Sequence, residues 1–338
     1  MLKNHLRTAW RHLRKEKGFS AINIFGLALG LAACIFITLF VVDELSYDRY
    51  NTKADRIFRV ESDLRINGGT IEDIVTPPSM AAALKKDFPA VENAVRIRSD
   101  RRDVVVHLGD KVFLEPGAVR VDSTLFEIFT LPLIAGNPHT ALSSPNSLVL
   151  SATAAKRFFN TTDVLGRLLK LDNDTTPYMV TGVMQDIPAQ SHFHFNLIKP
   201  LTRVSEDWIN FFAATYILVR PGTTAAEIDK MLIATVDRYV GPQIRDQLHT
   251  TAADLTRRGD HFRYYAMPLT RIHLYSNLEH EFETNGNFGY VVLFIVIAGL
   301  TLLIAAVNFV NLTTARSLPR LREIGVRKIM GSNRWRLA

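Results

Sequence analysis

Two long stretches of the chain carry no charge, while the residues between them change polarity every few positions. Ala21 to Val42 (AINIFGLALGLAACIFITLFVV) and Tyr290 to Val310 (YVVLFIVIAGLTLLIAAVNFV) each hold only uncharged, mostly apolar residues. At 1.5 Å per residue each reaches roughly 30 Å as a helix, the thickness of a bilayer's hydrocarbon core. Buried core helices seldom stay apolar on every face for this length, so the pattern predicts two transmembrane helices. Between them, Arg56–Ile66, Val91–Arg98, Val104–His107 with Lys111–Leu114 across Gly109-Asp110, Ser147–Leu150, Arg167–Leu171, Tyr178–Met184 and Thr215–Arg220 carry the alternation, β-branched content or turn boundaries of strands. Ser79–Phe88 after Pro77-Pro78, Ser151–Phe159 with Ser151 as N-cap, and Thr224–Tyr239, where Ile228, Leu232 and Val236 recur at helical spacing, read as helices. Short strands with interleaved helices predict an α+β domain with room for two lobes.

Charge adds a direction. A net charge of +7 at pH 7 would suit a nucleic-acid partner if it were spread over the chain, but it sits at the two ends. Lys3, Arg7, Arg11, Arg14, Lys15 and Lys17 against Glu16 precede the first apolar run. Arg316, Arg320, Arg322, Arg327, Lys328, Arg334 and Arg336 against Glu323 follow the second, which leaves the middle net acidic. This distribution excludes nucleic acid and points to membrane lipids, whose anionic headgroups both basic ends can meet. Asp43, Glu44 and Asp48 follow the first run directly, so the positive-inside rule places both termini in the cytoplasm and residues 43–289 outside. The fold class is then a membrane protein, two transmembrane α-helices flanking a large α+β extracytoplasmic domain. The single cysteine, Cys34, lies in the first run, so the outside domain rests on its hydrophobic core alone.

Cys34 has two readings. Leu31-Ala32-Ala33-Cys34 resembles a lipobox, which would be cleaved and acylated. Against this, the apolar run continues for eight residues beyond the cysteine, and Gly26, Gly30 and Cys34 place a small residue at every fourth position, the spacing of a close helix–helix contact. The chain has no G-x-x-x-x-G-K-[ST], no G-x-S-x-G and no H-E-x-x-H, so it reads as a non-catalytic component with no catalytic, cofactor-binding or metal residues of its own. His192 and His194, alternate residues in Ser191-His-Phe-His-Phe195, would share one face of a strand but lack a third ligand. Asp172-Asn-Asp174 reads as turn chemistry rather than a calcium loop, because the loop glycine and remaining oxygen ligands are missing.

Several stretches resemble the permease subunit of MacB/FtsX-type ABC transporters: Phe19–Leu31, Asp43–Tyr50 (DELSYDRY), Asp55–Val60 (DRIFRV), Val121–Pro138, Val180–Pro188 and above all Asn308–Gly331 (NFVNLTTARSLPRLREIGVRKIMG). The resemblance implies a bacterial inner-membrane protein, a MacB-like periplasmic core domain outside, a separate cytoplasmic ABC ATPase subunit that uses the ATP, and a second permease copy as a dimer partner or tandem unit. It makes Arg322, Glu323, Ile324, Gly325, Arg327 and Lys328 the ATPase-coupling residues, on a helix whose Leu318, Leu321 and Ile324 can form one apolar stripe. The implied division is a cytoplasmic interfacial helix at 1–18, with Leu2, Leu6, Trp10 and Leu13 on its apolar side, a first span at 19–42, the core domain at 43–289, a second span at 290–310 and the coupling segment at 311–338. Permeases of this family continue into further spans, so the chain reads as the N-terminal part of a longer protein. The implied cargo is peptide, antibiotic or lipoprotein-like. The rival class is a two-span sensor with a ligand-binding outside domain, which would carry signalling modules after the second span.

Overall fold

A computed structural model describes residues 17–330, apart from 67, 101, 173, 175, 203–205, 249–253, 255 and 256. The chain divides into two units: the long terminal helices, and a head formed by Ser46–Asn287. The first of these helices, α1, runs Lys17–Leu45. Gly18 belongs to it, and the interfacial helix expected before it lies outside the described residues.

In chain order the head contains β1 (Ile57–Ile66), β2 (Gly69–Asp73), β3 (Val75–Thr76), α2 (Met80–Asp87), β4 (Val91–Ser99), β5 (Val104–Leu108), β6 (Lys111–Glu115), β7 (Ala118–Val121), β8 (Leu133–Gly136), β9 (Ser147–Ser151), α3 (Ala152–Phe159), β10 (Leu168–Leu171), β11 (Tyr178–Met184), β12 (Leu197–Pro200), β13 (Ala213–Val219), α4 (Ala225–Thr235), α5 (Gly241–Leu248) and β14 (His261–Pro268). All strands join one mixed sheet in the order β14-β1-β13-β4-β7-β12-β9-β11-β10-β5-β6, with β2 on β1, β3 on β13 and β8 on β11. The first strand therefore lies between the last two. Its antiparallel pairing with β14 sets Phe58 opposite Pro268, so the chain enters and leaves the sheet at the same end.

The expected strands and helices are present. Ser151 caps α3 by accepting a hydrogen bond from the Ala154 N–H, and Asn160 closes that helix in the left-handed conformation at φ 60°. Gly109, at φ 59°, supplies the positive φ that the β5–β6 hairpin needs. The helix expected to end at Tyr239 goes further. Thr224 and Glu227 form a capping box, α4 ends at Thr235, and a π-helical turn, Val236–Val240, leads into α5. That turn comes just before Pro242, which has no N–H to give the Arg238 carbonyl four residues back. The chain also adds β2, β3, β7, β8, β12 and β14. Most are too short to show an alternation, and in β14 tyrosine, arginine and histidine interrupt it.

Helices α2 and α4 cover one end of the sheet, burying Met80, Leu84, Ile228 and Leu232 against Val91, Ile217 and Val219. At the other end α3 buries Ala154, Ala155 and Phe158 against Leu148, Leu169 and Val180. The two expected lobes are thus the two covered ends of one sheet, with a third cluster around Phe129, Phe193 and Tyr216 between them.

The second long helix, α6, runs unbroken for 42 residues, Phe288–Ile329. It packs antiparallel against α1, with the Cys34 Sγ 3.4 Å from the Ala298 carbonyl and the Phe40 and Phe294 rings edge to face at 5.0 Å. A Cβ placed on Gly30 would lie 3.1 Å from that of Ala305, and one on Gly26 3.4 Å from the Asn308 Nδ2.

Candidate functional site

A buried chain of polar groups ties together the segments by which the chain enters and leaves the head. The incoming segment contributes Asp48, a non-glycine residue at φ 60°. Its carboxylate lies 2.8 Å from the Nδ1 of His192, and the other ring nitrogen is 2.7 Å from the Tyr216 hydroxyl. All three side chains are fully or nearly buried. Tyr216 sits on β13 directly opposite Arg59 on β1. Arg59 donates to Glu61 (2.6 and 2.9 Å), to Ser276 (2.7 Å) and, through both terminal nitrogens, to Glu281 (2.7 Å each). Ser276 and Glu281 belong to the outgoing segment.

Burial dominates the electrostatics of this chain. It raises the Tyr216 pKa, against the hydrogen bond from Arg59, and keeps the hydroxyl neutral. It raises Glu61 as well, with Arg59 opposing. For Arg59 burial works in the opposite direction, but Glu281 and Glu61 outweigh it and hold the guanidinium charged. At the edge, Tyr50 is pushed up to about 12, mainly by burial, and its hydroxyl is 3.1 Å from Ser191. A guanidinium shared by two carboxylates fixes direction as well as distance, because its fork is planar. The arrangement holds geometry; it does not expose a reacting group.

The outgoing segment has two further ties. His280, at φ 62°, places its Nδ1 2.5 Å from the Asp73 Oδ2, and His194 meets Glu283 at 2.7 Å and the Pro188 carbonyl at 2.9 Å. Phe282 packs edge to face on Phe193 and Phe195. His192 and His194 are thus not strand neighbours on one face: they lie in the loop before β12, one inside the network and the other tied to Glu283, because Phe193 and Phe195 take the core positions. The residues with metal-ligand spacing are others, Asp73, Glu279 and His280, whose candidate ligand atoms all lie within 4.8 Å of one another. Asp174 accepts from the Thr176 N–H two residues on, as turn chemistry requires, whereas Asp172 accepts from the Val105 N–H on β5.

Gly26, Gly30 and Cys34 lie on the face of α1 next to α6. Arg322, Glu323, Ile324, Gly325, Arg327 and Lys328 lie on the last turns of α6, which passes through Pro319 without a break. Residues 331–338, the end of the expected coupling segment, are outside the described residues. Sequence reasoning missed the Arg59 network, although Asp48 and Arg59 both fall within the two short stretches that carry the family resemblance. No local signal marks it: Arg59 and Glu61 alternate with other residues in β1 as Asp63 and Arg65 do, and so read as the solvent side of a strand.

Two helices long and apolar enough to cross a membrane, Ile24–Leu45 and Phe288–Asn311, flank an α+β head, which defines the class as a membrane-anchored extracytoplasmic-type domain. The profile of the MacB-like periplasmic core domain matches residues 20–235, and the chain belongs to that family, the permeases of MacB/FtsX type. A comparison with curated proteins finds no match. Among solved structures, a domain designated as part of a permease protein from Porphyromonas gingivalis aligns with a TM-score of 0.54 at 22% identity, over 64% of this chain and 91% of that one. The periplasmic region of MacB from Actinobacillus actinomycetemcomitans aligns at 0.45 and 15%, over 65% and 91%. The extracellular domain of the ABC-type transporter YknZ from Gram-positive bacteria aligns at 0.41 and 12%, over 62% and 99%.

Proposed function

We propose that this chain is the permease component of an ABC transporter and that it passes the closure of a cytoplasmic ATPase dimer to the head. In this reading both termini are cytoplasmic, residues 43–289 face the periplasm, and a second permease copy completes the unit. The chain binds no cofactor, because ATP is used by the partner subunit. Arg322, Glu323, Ile324, Gly325, Arg327 and Lys328 dock on that subunit, and the cargo class is peptide, antibiotic or lipoprotein-like. The observation that carries the reading is the length of α6 in a chain of this family. It starts at the outgoing end of the head and continues as one helix to Ile329, beyond the apolar window that closes at Asn311. An unbroken helix moves as a lever, and the two ATPase states must hold its end differently if work is to pass along it.

The test is co-purification with the cognate ATPase in detergent, together with its ATPase rate. Glu323→Lys places a like charge where a partner charge is expected, and an interfacial charge left without its partner costs about 2–5 kcal/mol, roughly thirtyfold or more in affinity. Gly325→Leu blocks close approach. Loss of binding and stimulation in both variants, with membrane insertion unchanged, supports the reading. Parental binding and stimulation in both removes it.

A further inference from the structure

Helix α4, the π-helical turn and α5 lie beside β14, the outermost strand at that end of the sheet, and a cavity of about 780 Å³ opens between them. Its size falls in the range of small-ligand sites. Ile233, Val236, Ile244 and Phe262 give it an apolar wall, and Ile233 is left 61% exposed there. The π-helical turn supplies Val236 and Asp237 to the lining, and such turns are frequent at functional sites.

Three carboxylates line the same cavity, those of Asp229, Asp237 and Asp260. Of the two basic residues in the lining, His261 is bound through Nε2 to Asp63 at 2.9 Å, which leaves the exposed Arg263 against three acids. Asp260 is the unusual one. It is 5% exposed, and no described residue hydrogen-bonds to its carboxylate or pairs with it. A carboxylate taken out of water is normally paired or hydrogen-bonded, because an unmatched charge is costly to bury. The Tyr264 hydroxyl belongs to the same lining; its residue is 6% exposed, and it too has no hydrogen-bond partner among the described residues. The three carboxylates do not converge closely enough to hold a bare metal ion, so the cation they call for is an organic one.

We propose that this cavity is a binding site for a small organic amine, its ammonium donating to Asp260 and its apolar body resting on Ile233, Val236, Ile244 and Phe262. Tyr264 supplies one further hydrogen bond to a polar group on that body. The site does not depend on the transport reading above.

Tryptamine, tryptophol and indole-3-propionate share one aromatic body and differ in charge, being a cation, a neutral alcohol and an anion. Each is titrated calorimetrically into the full chain in a neutral detergent, with protein-free micelles as the blank. Tryptamine should bind tightest and weaken as ionic strength rises, with indole-3-propionate roughly tenfold weaker or more. Asp260→Asn should lower tryptamine affinity by roughly tenfold or more and leave tryptophol as in the parent. Asp163→Asn, which alters an exposed acid outside the cavity, should bind as the parent does. Circular dichroism melting verifies that each variant is folded, and if Asp260→Asn does not fold, the order of the three probes on the parent decides. No binding of tryptamine above the blank, equal affinity for the three probes, or unchanged tryptamine affinity in Asp260→Asn overturns the proposal.

Discussion

Replacing Arg59 with methionine keeps most of the side chain's volume and removes its charge, and the structure determines what is left behind. Glu61 is fully buried, and Glu281 is about 10% exposed at its side chain. Without the guanidinium both face a low-dielectric interior without their cation, and removing one partner from a buried ionic group costs about 3–5 kcal/mol. For a domain of this size each kcal/mol is worth about 2–4 °C in melting temperature, so the head should melt roughly 10 °C lower at neutral pH. The loss should also depend on pH. Burial already raises the Glu61 pKa in the parent, and removing Arg59 takes away the main opposing influence. A carboxylate with a raised folded pKa contributes stability below its unfolded pKa and loses it as pH rises through the folded value. The deficit of Arg59→Met should therefore shrink on acidification and widen toward pH 8. Trp208, buried and stacked on Tyr239 at 4.7 Å, reports head unfolding by fluorescence. Adding Glu61→Gln should recover part of the loss, a coupling of about 0.5–3 kcal/mol. A melting temperature unchanged from the parent, with no pH dependence of the difference, would refute the claim that this network locks the head.

Two further outcomes follow from the geometry. Gly30→Leu would drive atoms into Ala305, where even a Cβ comes within 3.1 Å, so it should abolish oxidative cross-linking of Cys34 to a cysteine introduced by Ala298→Cys; an undiminished yield would mean that α1 and α6 do not pack there. The His194 pKa is raised, chiefly by its hydrogen bond to Glu283, so its contribution is full below the ordinary histidine value and fades as pH rises through the raised one. His194→Gln should lower the melting temperature at pH 6 and much less at pH 9, and an equal loss at both would remove the pair from the account.

Most of the architecture is readable from the chain because it rests on local patterns. An uncharged run cannot be mistaken for an alternating strand, and Ser151 and Thr224 announce their helices by cap chemistry that operates within three residues. The network is unreadable for the opposite reason. Arg59 and Glu61 are only two of four alternating charges within β1, and Glu281 joins Arg59 from 222 positions away, where only the sheet order brings it. The two histidines show how spacing misleads: alternation fits a strand as well as a loop in which phenylalanines take the core positions.

The position of β1 between β13 and β14 has a consequence for biosynthesis. The first strand of the head to emerge can pair at once with β2 over Ser62–Ile66, but β13 and β14 both come from the last third of the head, so the hydrogen bonds they make with β1 must wait until most of the head has been made. Closing so long a loop is slow, and a strand with an edge left unpaired meanwhile is open to other strands. Maturation of the head is thus tied to delivery of α6: the sheet is complete only as the segment leading into the second helix arrives.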